Sequence, residues 1–311
     1  MASLPDVQQD AAGAARRRAA VAADRLLPDI DWSVPPDCAA RWRFAAPSGS
    51  LAALSAGPVE GQRVVLVPGV TGSKEDFHFQ LIDLAEAGYR VESFDMAGQY
   101  ESSDAGPEQL SPPRRSYDYR LFEDDLEAFL EHGATPVHLL GHSFAGIVAA
   151  RVAARRPALV ASLTLLSTPP LAGQVFRGVR LLGPLSRVLP ASAIALAMRR
   201  SLEANVQGVP PARQRFVEQR LARTRPVSIR QIIALMRRTP SVAPALRGSS
   251  FPISIAVGSH DVWPLTLHRR FAGELGASIA VYRTGHSPCE TAPHELGADL
   301  LALFEKARTT V

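Results

Sequence analysis

Apolar and polar positions change period several times along this chain, and each change marks an element. Arg41–Ala46 and Leu51–Ala56 flank Pro47-Ser48-Gly49, a pattern that predicts a hairpin. Arg63–Val67 is a continuous apolar run stopped by Pro68-Gly69, which predicts a strand buried on both faces. Glu75–Ala87 switches to helical spacing through Phe79, Leu81, Ile82, Leu84 and Ala85, and Gly88 can stop it. Further strands are expected at Tyr89–Phe94, Val137–Leu140 and Ser162–Leu166, with helices at Tyr119–His132 and Phe144–Arg156. Strands alternating with helices of this length predict βαβ units and a mostly parallel sheet.

The alternation stops at residue 169. From 169 to 248 the apolar stripes are helical (Ile194–Met198, Phe216–Leu221, Ile229–Met236) and are punctuated by prolines. It resumes with a strand at Ile253–Val257, a helix at Pro264–Leu275, a strand at Ser278–Tyr282 and a helix at Glu295–Ala307. The expected organisation is a helical N-terminal arm over 1–39, an α/β core over 40–168 and 249–311, and an all-helical insertion over 169–248. No apolar run approaches the ~20 residues of a membrane-spanning helix.

Composition sharpens this picture at one place. The 311 residues are 46% hydrophobic and 21% charged, enough to bury a core. Net charge is +4, but residues 169–248 hold fourteen arginines and two acids, +12, which leaves −8 on the remainder. Such a basic segment either docks on the acidic body, the favoured reading, or recruits an anionic substrate. Nucleic acid is not expected, because Phe176 and Phe216 are the segment's only aromatics. Cys38 and Cys289 form no disulfide framework or metal spacing, so a reduced, cytoplasmic setting and no metal or cofactor are expected. Arg16-Arg17-Arg18 precedes a stretch broken by Asp24 and Arg25, so no export signal is read there.

Candidate chemistry lies in the loops after strands. Ser143 stands in Gly141-His142-Ser143-Phe144-Ala145-Gly146 between a strand and a helix, where a tight turn projects the hydroxyl and needs small neighbours. An ordinary helix N-cap serine would look similar. His286, in Gly285-His286-Ser287-Pro288, alone among eight histidines follows a late strand in the right order to serve as base. His138 is expected in the core, His142 in support of the turn, and His78, His132, His268 and His294 in solvent. Asp261, in Gly258-Ser259-His260-Asp261, can orient the imidazole, although an Asp there could equally cap the next helix. Pro68-Gly69-Val70-Thr71-Gly72 can turn a backbone N–H toward a carbonyl oxygen, so Val70 N–H and Phe144 N–H are the expected oxyanion donors.

Five segments carry this pattern in register: PGVTGS (68–73), DMAGQYESS (95–103), GHSFAG (141–146), GSHDVWP (258–264) and GHSPCETAP (285–293). Together they resemble the α/β-hydrolase family over about residues 40–311. The resemblance implies Ser143, Asp261 and His286 as catalytic residues, Val70 and Phe144 as oxyanion donors, and residues 169–248 as a cap over the site. Ala145 stands where many members have Gly, and Pro68 where many have His. Serine at the nucleophile position and the absence of Tyr from the cap argue against dehalogenase or epoxide-hydrolase chemistry. The implied activity is cofactor-independent hydrolysis of an ester or related acyl bond in a small molecule with an apolar part and, if the basic cap recruits, an anionic one. C–C bond hydrolysis, for which Ser287 replaces a frequent Trp, perhydrolysis, acyl transfer and a non-catalytic ligand receptor are the alternatives.

Overall fold

The computed structural model describes residues 4–178 and 210–309. The N-terminal arm begins with helix α1 (Leu4–Asp24). The expected hairpin follows: β1 (Ala39–Ala46) pairs antiparallel with β2 (Gly49–Ala56), with Trp42 opposite Ala53. Next come β3 (Arg63–Val67), α2 (His78–Glu86), β4 (Arg90–Phe94), α3 (Tyr119–Glu131), β5 (Val137–His142), α4 (Phe144–Arg155) and β6 (Val160–Leu166). Between β6 and β7 (Ile253–Gly258) lie α5 (Pro211–Arg223), α6 (Pro226–Met236) and α7 (Ala243–Leu246). The chain ends with α8 (Leu265–Leu275), β8 (Ser278–Tyr282), the single turn α9 (Pro288–Thr291) and α10 (Pro293–Thr309). The stripe Ile194–Met198, with Leu181 and Leu182, lies outside the described residues. Phe216–Leu221 and Ile229–Met236 fall on α5 and α6.

All eight strands form one sheet in the order β1-β2-β4-β3-β5-β6-β7-β8. β2 meets β4 antiparallel, and every pairing from there to β8 is parallel. Parallel strands need helical crossovers, and these cover both faces of the sheet. The period-2 alternation of β3 serves two cores. Val65 and Val67 pack with α3 and α4, while Val64 and Leu66 pack with α2 and α10. Burial on both sides is why this strand reads as an uninterrupted apolar run.

Two sequence expectations need correction. The helix read from Glu75 starts at His78, because Lys74–Phe77 forms a separate 3-10 turn with all four residues buried. Lys74 Nζ is drawn inward by Glu75 (2.8 Å), Asp95 (3.1 Å) and Glu101 (2.8 Å). Burial drives Asp95 toward its neutral form, up to about 7, against the opposing charge of Lys74. His78 and His268, expected in solvent, are buried. Both sit on the inward stripes of their helices.

The arm is tied to the body by polar contacts. The Asp24 carboxylate accepts from the His294 and Glu295 N–H groups (2.9 Å each), capping α10 from another helix. Arg17 reaches Asp299 at 2.7 Å. Among the described residues no helix is long and apolar enough to cross a membrane.

Asp125 on α3 fixes the hairpin turn, accepting from Ser48 N–H (3.0 Å) and from Ser48 Oγ (2.5 Å). Burial pushes its carboxyl up to about 7, although the Ser48 hydrogen bonds act the other way. Between pH ~4 and 7 the folded chain therefore holds a proton there that the unfolded chain releases, so this group lowers stability as pH rises. Asp125→Asn should gain stability relative to wild type across that window. Urea midpoints of the two proteins at pH 4.5 and 7.5 check this, and a constant difference would refute it.

Candidate active site

Ser143 stands at the C-terminal edge of the sheet between β5 and α4, with φ 53° and ψ −120°. A non-glycine residue there is strained by about 1–3 kcal/mol and must be held by its surroundings. Ser143 N–H donates to Leu166 O (2.8 Å) on the neighbouring strand, and Gly146 N–H donates to Ser143 O (3.0 Å). The small residues are obligatory. A methyl on Gly141 would lie 2.5 Å from Ala145 O, and one on Gly146 2.9 Å from Gly141 O. Ala145 itself is accommodated and fully buried.

The structure brings the three predicted side chains into one line. His286 Nε2 lies 3.1 Å from Ser143 Oγ, and His286 Nδ1 lies 2.9 Å from Asp261 Oδ2. The other carboxylate oxygen, Oδ1, accepts from Trp263 N–H (2.9 Å). Burial of Asp261 opposes its ionisation, but the facing His286 and His268 outweigh it and hold the carboxyl well below its ordinary value. The Asp is thus ionised throughout the working pH range and fixes the proton of His286 on Nδ1. That leaves Nε2 free to accept the serine proton.

His142 supports this array from behind. Its Nε2 lies 3.0 Å from His286 O. Burial and then the charge of His286 push the His142 imidazole down to about 4, so at neutral pH it donates to that carbonyl and pins the backbone of the base.

Gly69, at the end of the turn after β3, passes against the serine: a methyl there would sit 3.0 Å from Ser143 Cβ. Gly72 N–H closes the turn on Gly69 O (3.0 Å). Thr71, with φ 63°, donates its N–H to Gln99 Oε1 (2.9 Å). Val70 lies between these fixed points, and Phe144 is the first residue of α4. Helix-start N–H groups have no partner within the helix. Both predicted donors are therefore on elements that border Ser143.

Sequence reasoning missed Gln99. This buried residue also donates from Nε2 to Ser228 Oγ (2.7 Å) on α6, so it ties the 68–72 loop to the insertion. DMAGQYESS marked the segment but not the role, because the two contacts lie far away in sequence. Among the described residues, no group of three or more His, Cys, Asp or Glu is arranged to hold a metal ion.

The loops that carry Asp261 and His286 pass in contact. A methyl on Gly258 would meet Gly285 O at 1.9 Å and Thr284 O at 2.4 Å, both backbone atoms that cannot rotate away. Gly258→Ala should push the two loops apart and lower kcat/KM about 100-fold, the cost of misplacing reacting groups by ~1 Å. Steady-state kinetics on a substrate that the wild type turns over tests this; an unchanged kcat/KM would show that the close approach is not needed.

The chain belongs to the alpha/beta hydrolase family, whose sequence model matches residues 64–299. A Variovorax paradoxus protein named as the carbamate hydrolase RutD is 36% identical over 115 residues, 36% of this chain and 40% of that protein. The rat bifunctional epoxide hydrolase 2 is 31% identical over 111 residues, 35% of this chain. The matched segments span 40% and 19% of these two relatives' lengths. Among solved structures, that of the N-acyl homoserine lactonase AidH overlays with a TM-score of 0.67 at 20% identity, covering 86% of this chain and 97% of that one. At that identity the overlay speaks for the fold.

Proposed function

We propose that the protein is a cofactor-independent serine hydrolase that cleaves an ester or related acyl bond through a Ser143 acyl-enzyme. The observation that carries this reading is the continuous line from Ser143 Oγ through His286 to Asp261, mounted on a strained turn. His286 Nε2 takes the hydroxyl proton as Oγ bonds to the substrate carbonyl carbon. The oxygen becomes an oxyanion, held by Val70 and Phe144 N–H groups. His286 then gives the proton to the leaving group, which departs with the bonding pair. Water, deprotonated by His286, attacks the acyl carbon and frees Ser143. In this reading the insertion over 169–248, of which 169–178 and 210–248 are described, serves as the cap, and 40–168 with 249–311 as the core.

A serine nucleophile separates this reading from the epoxide-opening relative, and the carbamate-hydrolase relative adds carbamates to the substrates worth trying. The test has two arms. A fluorophosphonate probe should label Ser143 in wild type and nothing in Ser143→Ala. A panel of short and medium acyl esters and carbamates should show turnover that the same substitution removes. Absence of labelling in folded protein would overturn the assignment.

A further inference from the structure

The acid of the site faces a second imidazole. His268 lies on α8, seven residues beyond Asp261, and its side chain is completely buried. Its Nε2 is 3.6 Å from Asp261 Oδ1, while His286 occupies Oδ2 of the same carboxylate. Neither ring nitrogen of His268 has a hydrogen-bond partner at ordinary length. A buried imidazole without a partner is costly. A carboxylate oxygen accepts about two donors, and Oδ1 has one firm donor, Trp263 N–H. The charged and titratable groups placed against this pair among the described residues are Asp261 itself and, across it, His286, which in turn faces His142.

We propose that His268 is a positioning residue for the triad acid: with its proton on Nε2 it donates to Asp261 Oδ1, holds the carboxylate plane toward His286, and disperses part of its charge. The inference rests on the serine-hydrolase reading above. The separation shortens when charge develops, since hydrogen bonds of catalytic groups are often long before substrate binds. Sharing the carboxylate has a direct consequence. A carboxylate relieved by one donor stabilises the imidazolium of His286 less than an unrelieved one does. Removing the donor should therefore favour protonated His286 and move the acid limb of the pH profile upward. It also frees the carboxylate to rotate, which lowers the rate above the limb.

The experiment compares His268→Gln, His268→Asn and His268→Leu with wild type. The amide nitrogen of Gln reaches the place of Nε2, whereas that of Asn reaches only the place of Nδ1. Labelling of a separate wild-type sample by the fluorophosphonate probe first verifies the nucleophile, and kcat/KM for an ester that competes with labelling is then measured on the unlabelled proteins from pH 4.5 to 9. In His268→Leu and His268→Asn the acid limb should move up by about half a pH unit, the size of a modest change in charge pairing, and plateau kcat/KM should fall about tenfold. His268→Gln should keep the wild-type limb and most of the rate. If all three variants keep the wild-type limb, the histidine only packs α8 against the core and the proposal is overturned, even if rates fall. If Gln shifts as far as Asn, donation from the Nε2 position is refuted. Failure of wild type to label would instead remove the serine reading on which this one stands. Should His268→Leu not fold, the Gln and Asn pair, similar in polarity, still decides.

Discussion

Ser143→Ala should lower kcat about 10⁶-fold on any ester or carbamate the wild type hydrolyses, the loss expected when a nucleophile acting in concert with its base is removed. The magnitude follows from the geometry. Among the described residues Ser143 Oγ is the hydroxyl within hydrogen-bond reach of His286 Nε2, at 3.1 Å, and alanine removes it. The turn should survive, because Ser143 N–H and C=O, not the hydroxyl, hold it to Leu166 and Gly146. His286→Ala should cost about as much, and the double substitution little more than either, since the pair works as a unit. Residual rate above water should persist if the proposed oxyanion donors, the Val70 and Phe144 N–H groups, act without the serine. Active-site-normalised kcat of the three variants, with circular dichroism to verify folding, checks this. A loss below tenfold in Ser143→Ala would assign the chemistry to another group.

What the sequence made legible is local or periodic. The uninterrupted apolar run of β3 announced a strand covered on both faces, and Val64–Val67 divide between two cores as burial on both sides requires. The turn at Ser143 was legible because its constraint lies within six residues: Gly141 must clear Ala145, and Gly146 must clear Gly141. Asp261 and His286 followed from their positions after late strands. Where polar side chains occupy inward helical positions, periodicity misleads. His268 stands on the stripe of Phe271, Ala272 and Leu275, so the signal for its burial was present but overruled by residue type. The same holds on α5, whose buried residues are Arg213, Phe216 and Arg220. The hydrogen-bond partners of the two arginines lie up to 147 residues away in the chain, and no spacing encodes that. Gln99 was hidden for the same reason.

Arg213→Met should destabilise the protein by about 3–5 kcal/mol, the cost of breaking a buried charge network from one side. Arg213 is 2% exposed and joins four parts of the chain. Its guanidinium holds Glu290 on α9 with two contacts (2.8 and 2.5 Å) and Asp76 after β3 at 2.6 Å, and it lies 4.4 Å from the ring centre of Trp32 in the arm. Arg220 shares Asp76 from one side. Removing Arg213 strands Glu290, whose carboxyl burial already pushes up against the pull of Arg213. Glu290→Gln should therefore cost less in the Arg213→Met background than in wild type, and a double-mutant cycle by urea unfolding measures that coupling. The network also bears on the +12 charge of the insertion. Arg213 contacts two acids of the body, Asp76 and Glu290, while Arg220 contacts Asp76, Arg223 contacts Glu101 and Arg225 contacts Glu108. These four arginines dock the insertion on the acidic core, as the charge asymmetry favoured. Salt separates the contributions. The exposed Arg225–Glu108 pair should lose its contribution at 1 M NaCl, whereas the Arg213 cycle should keep its coupling, because buried pairs are little screened. A coupling that vanishes in salt would place Arg213 in water rather than in the core.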